Sequence, residues 1–205
     1  MHHRFSLTFV LVSNGALSHV YHFDSKAIVE DYIRTLSLPA TFFLPGFYMS
    51  NFPTNMLRPS PDSPSTYILS FPVPATAPVP LLDASRDTGK FVKGIVLHRD
   101  SVLGKQILGA SEYLTLQGLL DTFGKVFPET ETKFVQVSHT DYTAGMTTRG
   151  MPEFAADELL QNMRLLDEFG YFGGRGLEES HAIVEDELTT WEAFTRQEEK
   201  WSALK

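Results

Sequence analysis

The 205-residue sequence is 42% apolar and carries 17 Lys and Arg against 25 Asp and Glu, a formal charge of -8. That length and apolar share can bury one substantial core, while the acidic balance argues against a surface that tracks phosphates and so against direct nucleic-acid binding, though not against regulating transcription through another protein. The absence of cysteine excludes disulfides, thiolate catalysis and zinc sites built on sulfur, and no apolar run reaches the roughly 18 residues needed to cross a bilayer.

The opening residues, MHHRFSLTFVLV, imitate a signal peptide without a clear small-residue cleavage site. Phe5 to Val12 reads as a strand and Asn14-Gly15 as a turn. From His22 to Phe52 the pattern gives a helix, a tight return, a buried strand and a loop. Asp24 or Ser25 is the expected helix cap, with Ile28, Val29, Tyr32, Ile33 and Leu36 as its apolar face and Pro39 ending it. Ala40 to Leu44, short and continuously apolar, suggests a parallel strand covered on both faces. Pro45-Gly46 stops it. The loop from Gly46 to Asn51 then lies where open α/β sheets bind ligands, at a strand's carboxyl end.

Met49 to Leu57 suggests a helical turn broken at Pro53, and Arg58 to Pro64 a loop. Strands are expected at Thr66 to Phe71, Val79 to Leu82, Lys105 to Gly109 and Lys133 to Val137. Asp83 or Ser85 caps a helix over Arg86 to Leu97 with Phe91, Val92, Ile95 and Val96 inward. Ser111 or Thr115 precedes a second helix with Leu116, Leu119, Leu120 and Phe123 as its stripe. Ser138 opens a helical turn, Pro152 leads a long helix closed by Gly170, and Thr190 heads the final one, on which Trp191 and Trp201 read as core anchors.

Three features invite a chemical reading. GYFGGRG, Gly170 to Gly176, has glycine spacing suited to a phosphate loop, but such a loop follows a strand and opens a helix. Here it follows a long helix, so it reads as a glycine cap and turn. The histidines are scattered with no metal-ligand pair, so no metal site is expected. His22 and Lys26 are four apart at a helix start and stack on one side, while Tyr48, Met49, Ser50 and Asn51 mix polar ends with apolar bodies, as small-molecule pockets do.

Taken together, HFDSK, PATFFLPGFYMSN, VPLLDASRDTGKFVKGIVL and GKQILGASEYLTLQGLLDTF resemble the NmrA-like family, an atypical branch of the short-chain dehydrogenase/reductases, over about Ser13 to Lys205. The resemblance implies an α/β fold: a Rossmann-like parallel sheet, here incomplete because the N-terminal dinucleotide-binding strands are missing, with a smaller, mostly helical C-terminal part. It implies NADP or NAD as cofactor, with Lys26 reaching it and Tyr48, Met49, Ser50 and Asn51 beside its nicotinamide end. His22 stands where classical reductases place the tyrosine of a Tyr-x-x-x-Lys pair, which favours a redox sensor or transcription-regulator type over turnover. His22 is therefore the sole catalytic candidate, for the alternative of an NAD(P)H-dependent oxidoreductase. The family's initial strand and G-x-x-G-x-x-G turn do not precede Ser13. Residues 1-12 are accordingly expected to lie outside the family, the chain to be truncated and impaired in cofactor binding, and its open sheet edge to make it poorly soluble unless Phe5 to Val12 pairs there. A cytoplasmic or nuclear location and a transcription factor or other protein partner are the corresponding expectations. A second alternative is a ligand-free interaction module working through acidic stretches at Glu153 to Glu168 and Glu178 to Glu187.

Overall fold

The computed structural model describes Ser13 and residues 16–204; the expected strand at Phe5 to Val12 and turn at Asn14-Gly15 lie outside these. Helix α1 (Tyr21–Thr35) leads into β1 (Phe42–Pro45) and β2 (Phe47–Tyr48), then a single π-turn (Phe52–Met56) and β3 (Leu57–Pro59), β4 (Thr66–Phe71) and β5 (Pro78–Leu82). Next come α2 (Ala84–Leu97), α3 (Arg99–Val102), β6 (Gln106–Gly109), β7 (Glu112–Thr115), α4 (Leu116–Val126) and β8 (Glu131–Gln136). The remainder is helical: α5 (His139–Thr148), α6 (Glu153–Glu168), α7 (Glu178–His181), α8 (Trp191–Gln197) and a 3-10 turn over Glu199–Leu204.

Pairing is mainly parallel. β1 runs beside β6 with Phe42 opposite Gln106, and β4 beside β8 with Thr66 opposite Glu131, while β2 runs beside β5. Antiparallel β3 and β7 flank β4 and β5. At Gly46 the extended segment leaves β6 for β5, and a Cβ there would lie 2.6 Å from the Pro80 carbonyl oxygen and 3.0 Å from that of Gly109. Only glycine lets three backbones meet that closely.

The main core gathers on α4, whose Leu116, Leu119, Leu120 and Phe123 are all buried, against Phe52, Phe127, Trp191 and Trp201. Trp191 donates its indole N–H to the Leu119 carbonyl at 3.0 Å. A smaller cluster lies under α2 around Phe91, Val102, Ile107 and Ile183. There the wholly buried Asp87 takes Lys90 Nζ at 2.8 Å and the Thr189 amide at 2.9 Å. Asp83 caps α2 by accepting the Ser85 and Arg86 amides, as the sequence suggests.

Several expectations are corrected. Asp24 and Ser25 lie inside α1, which starts at Tyr21 because Glu158 of α6 accepts the His22 amide at 2.9 Å, supplying from another helix what a local cap would. Ile28, Val29, Tyr32 and Leu36 are exposed, and α1 instead buries Ala27 and Glu30. Pro39 lies beyond a helix that already ends at Thr35, with Ser37 at φ 53 in the left-handed region. β1 is half-buried throughout, since it has β6 on one side and, among the described residues, no strand on the other. Val92 and Val96 of α2 face solvent; Gly94 is buried instead, where an added Cβ would collide with the Ile183 carbonyl. Pro53 opens the π-turn without breaking it.

Candidate functional site

A cavity of about 550 Å³ opens between α1, the β1–β2 segment and the loop after α6, a size typical of small-molecule sites. It runs along β1 from Thr41 and past its carboxyl end to Tyr48, and that end is where an α/β sheet places a ligand crevice.

Its first wall is α1, docked onto α6 at its start. The His19 amide donates to Gln161 Oε1 at 2.9 Å, His19 Nδ1 meets Asp157 Oδ2 at 2.6 Å, and His22 Nδ1 meets Glu158 Oε1 at 2.6 Å. Burial alone pushes the Glu158 carboxyl up, but the His22 ring and amide outweigh it and hold it below the ordinary carboxylate range. Lys26, one turn on, donates to the His22 carbonyl at 3.1 Å, and both residues line the cavity. Deeper in, buried Glu30 accepts from Arg34 Nη2 at 2.7 Å and from Gln106 Nε2 at 2.9 Å, so its charge is already matched. The Arg34 guanidinium also lies 4.4 Å above the Phe42 ring centroid.

The opposite wall comes from GYFGGRG. Gly170, Gly173 and Gly174 have φ of 76°, 67° and 74°, and the Gly173 amide returns to the Gly170 carbonyl at 2.8 Å. This turn is open mainly to glycine. It carries Tyr171 and Phe172 inward and sets Arg175 in the cavity wall. Arg175 is pinned twice: its Nε donates to the Phe172 carbonyl at 3.0 Å, and its own carbonyl accepts the Tyr113 hydroxyl at 3.0 Å. Burial lowers the guanidinium's pKa, opposed by the fields of Tyr113, Glu30 and Glu179. The Tyr171 hydroxyl is pushed up by burial, with a further contribution from nearby Tyr48.

The structure thus brings Lys26, Tyr48 and Asn51 to one cavity, with His22. Met49 is wholly buried in the main core, and Ser50 is exposed, its carbonyl accepting the Thr54 hydroxyl at 2.9 Å. Sequence reading missed Glu30, Gln106, Asn162, Tyr171 and Arg175 as cavity residues. The spacing of Glu30 and Arg34 by four was a usable signal of pairing. No local pattern ties Gln106, Asn162 or Arg175 to α1. The acidic stretches proposed as a docking face are partly engaged within the chain, through Asp157 and Glu158 above, Glu168 with Arg164 at 2.6 Å, and Asp186 with Lys93 at 2.7 Å.

The parallel α/β sheet and its carboxyl-end cavity define a protein of the Rossmann-like kind. The model of the NmrA-like family matches residues 6–195, and the chain belongs to that family. A nitrogen metabolite repression protein of Neurospora crassa is 33% identical over 111 residues, covering 49% of this chain and 22% of that protein. A crystal structure of NmrA, a negative transcriptional regulator, in complex with NADP superposes with a TM-score of 0.64 at 22% identity over 82% of this chain and 55% of that one. A triphenylmethane reductase of Citrobacter sp. complexed with NADP(H) does so with a TM-score of 0.58 at 14% identity, over 86% of this chain and 58% of that one. The chain therefore spans about half the length of these solved structures. None of the described helices is long and apolar enough to cross a membrane.

Proposed function

We propose that this chain is a dinucleotide-sensing member of its family, which responds to NADP or NAD and acts on transcription through a protein partner. The observation carrying the reading is the convergence of Lys26, Tyr48 and Asn51 on one cavity at the carboxyl end of β1. The donor set suits the nicotinamide end: an ammonium and an amide for ribose hydroxyls and carboxamide, with Phe42, Phe43 and Phe47 as apolar walls. Bound there, a nicotinamide supplies hydride chemistry that the side chains cannot. The chain's own groups bind and orient it. A histidine at position 22, where the resemblance places the reductases' tyrosine, supports sensing over proton donation. NAD-bound as well as NADP-bound structures of NmrA are known, and either nucleotide is a candidate.

Affinity is expected to be weak, because the G-x-x-G-x-x-G spacing of this sequence falls at Gly170, Gly173 and Gly176, after helix α6 rather than between a strand and a long helix. A pyrophosphate cradle needs that helix N-terminus. Calorimetric titration with NADP and NAD tests both parts. Weak heat that Lys26→Ala abolishes is the expected result. Silence with both nucleotides would remove the sensing reading, and submicromolar affinity would remove the claim of weak binding. The reductase reading is favoured by one observation, the His22 and Glu158 pair on the wall beside Lys26, which resembles an oriented acid; NADPH-dependent turnover by the purified chain decides it.

A further inference from the structure

The cavity contains polar groups that the dinucleotide reading does not use. Asn162 on α6 is 9% exposed and Tyr171 is 8% exposed, and both line the cavity. Asn162 Oδ1 and Arg175 Nη2 are buried with no hydrogen-bond partner among the described residues. Native interiors rarely leave such groups unmatched, and those that persist point to a ligand or water that completes them. Asn162 is an amide whose two ends exchange by a flip, so it can present N–H as readily as oxygen. Tyr171 packs its ring against those of Phe23, Phe47 and Phe172, with centroids at 5.2, 6.4 and 5.2 Å. The charges around this space favour an anion. Arg175 and Lys26 are cationic, Glu30 is neutralised by Arg34, and Glu158 is held by His22.

We infer that the cavity binds a small aromatic carboxylate, its ring among the Phe23, Phe47 and Phe172 side chains and its oxygens received by Arg175, with Asn162 and Tyr171 as further donors. A guanidinium suits this role because it stays charged when desolvated and presents a planar fork to a carboxylate. Its pinning through Nε and the backbone carbonyl orients the fork before any ligand arrives, which lowers the cost of binding. The aromatic wall contributes burial without deciding between neutral and charged ligands; Arg175 decides it. The inference does not depend on dinucleotide binding.

The test is calorimetric titration of the purified chain, free of nucleotide, with 2-naphthoate and with its neutral isostere 2-naphthamide. A charge-assisted hydrogen bond predicts that the carboxylate binds at least about tenfold more tightly than the amide. Arg175→Gln should erase that difference, and Asn162→Leu should weaken naphthoate alone by several-fold, whereas Arg149→Gln, at an exposed arginine outside the cavity, should change nothing. Equal affinity for the two ligands in the unmodified chain, or no binding of naphthoate, overturns the inference without any variant. Unchanged preference in a folded Arg175→Gln protein overturns the role given to that residue. Because no nucleotide is present, these outcomes stand apart from those of the NADP titration.

Discussion

Glu158 joins two helices through one oxygen. Its Oε1 receives the His22 amide at 2.9 Å and meets the ring Nδ1 at 2.6 Å, so the same carboxylate caps α1 and aligns a cavity residue. Burial disfavours its charge, yet the His22 contacts prevail and its pKa is lowered. A carboxyl with a lowered folded pKa stabilises the fold at pH above the unfolded value, and that contribution disappears as pH falls through the folded value. Thermal midpoints of the unmodified chain and Glu158→Gln should accordingly differ above the ordinary carboxylate range and converge in more acidic buffer. A gap of constant size across that range would mean that the carboxylate's charge contributes nothing.

At the scale of elements, the helices divide by how their inward positions are written. α4 was legible because every position facing the core is a large apolar residue, and Thr115 caps it by accepting the Gly118 amide at 2.9 Å. α8 was legible in part, through Trp191 and Phe194, but it also buries Thr195 and ends at Gln197, so that Trp201 lies on the 3-10 turn rather than on this helix. α1 was misread because its inward stripe is Ala27 and Glu30, a small residue and a charged one, and a hydrophobic periodicity assigns Glu30 to solvent. Only the distant Gln106 and the neighbouring Arg34 make that burial tolerable. Half of the cavity was legible, since the loop after β1 is local in sequence; its other wall, Asn162 through Arg175, meets α1 only through tertiary packing. Two substitutions separate the readings. Ile28→Lys, at a position 62% exposed, should change stability by less than about 0.5 kcal/mol in urea unfolding. Gly46→Ala, whose methyl would press on the Pro80 and Gly109 carbonyls, should cost about 1 to 3 kcal/mol.

Across the whole molecule, packing is uneven. The large cluster joins β4, β5, α4, α8 and the terminal turn, and α1 reaches it only through Phe23 near its start, being otherwise secured by Leu17, Val20 and Leu165 there and by the Glu30 network midway. Segments with few buried contacts open separately from the rest. The wall that closes the cavity is therefore held by fewer buried side chains than the main core. Read as protection against solvent deuterium, this means that the amides of α1 should exchange well before those paired between β4 and β8, which are freed only by global unfolding. A ligand seated in the cavity should slow exchange in α1 and in the loop around Tyr171, and also in β4 and β8, because it binds the folded chain and so opposes global unfolding too. Equal exchange rates in α1 and in β4 and β8 without ligand would mean that α1 and the core open as one body.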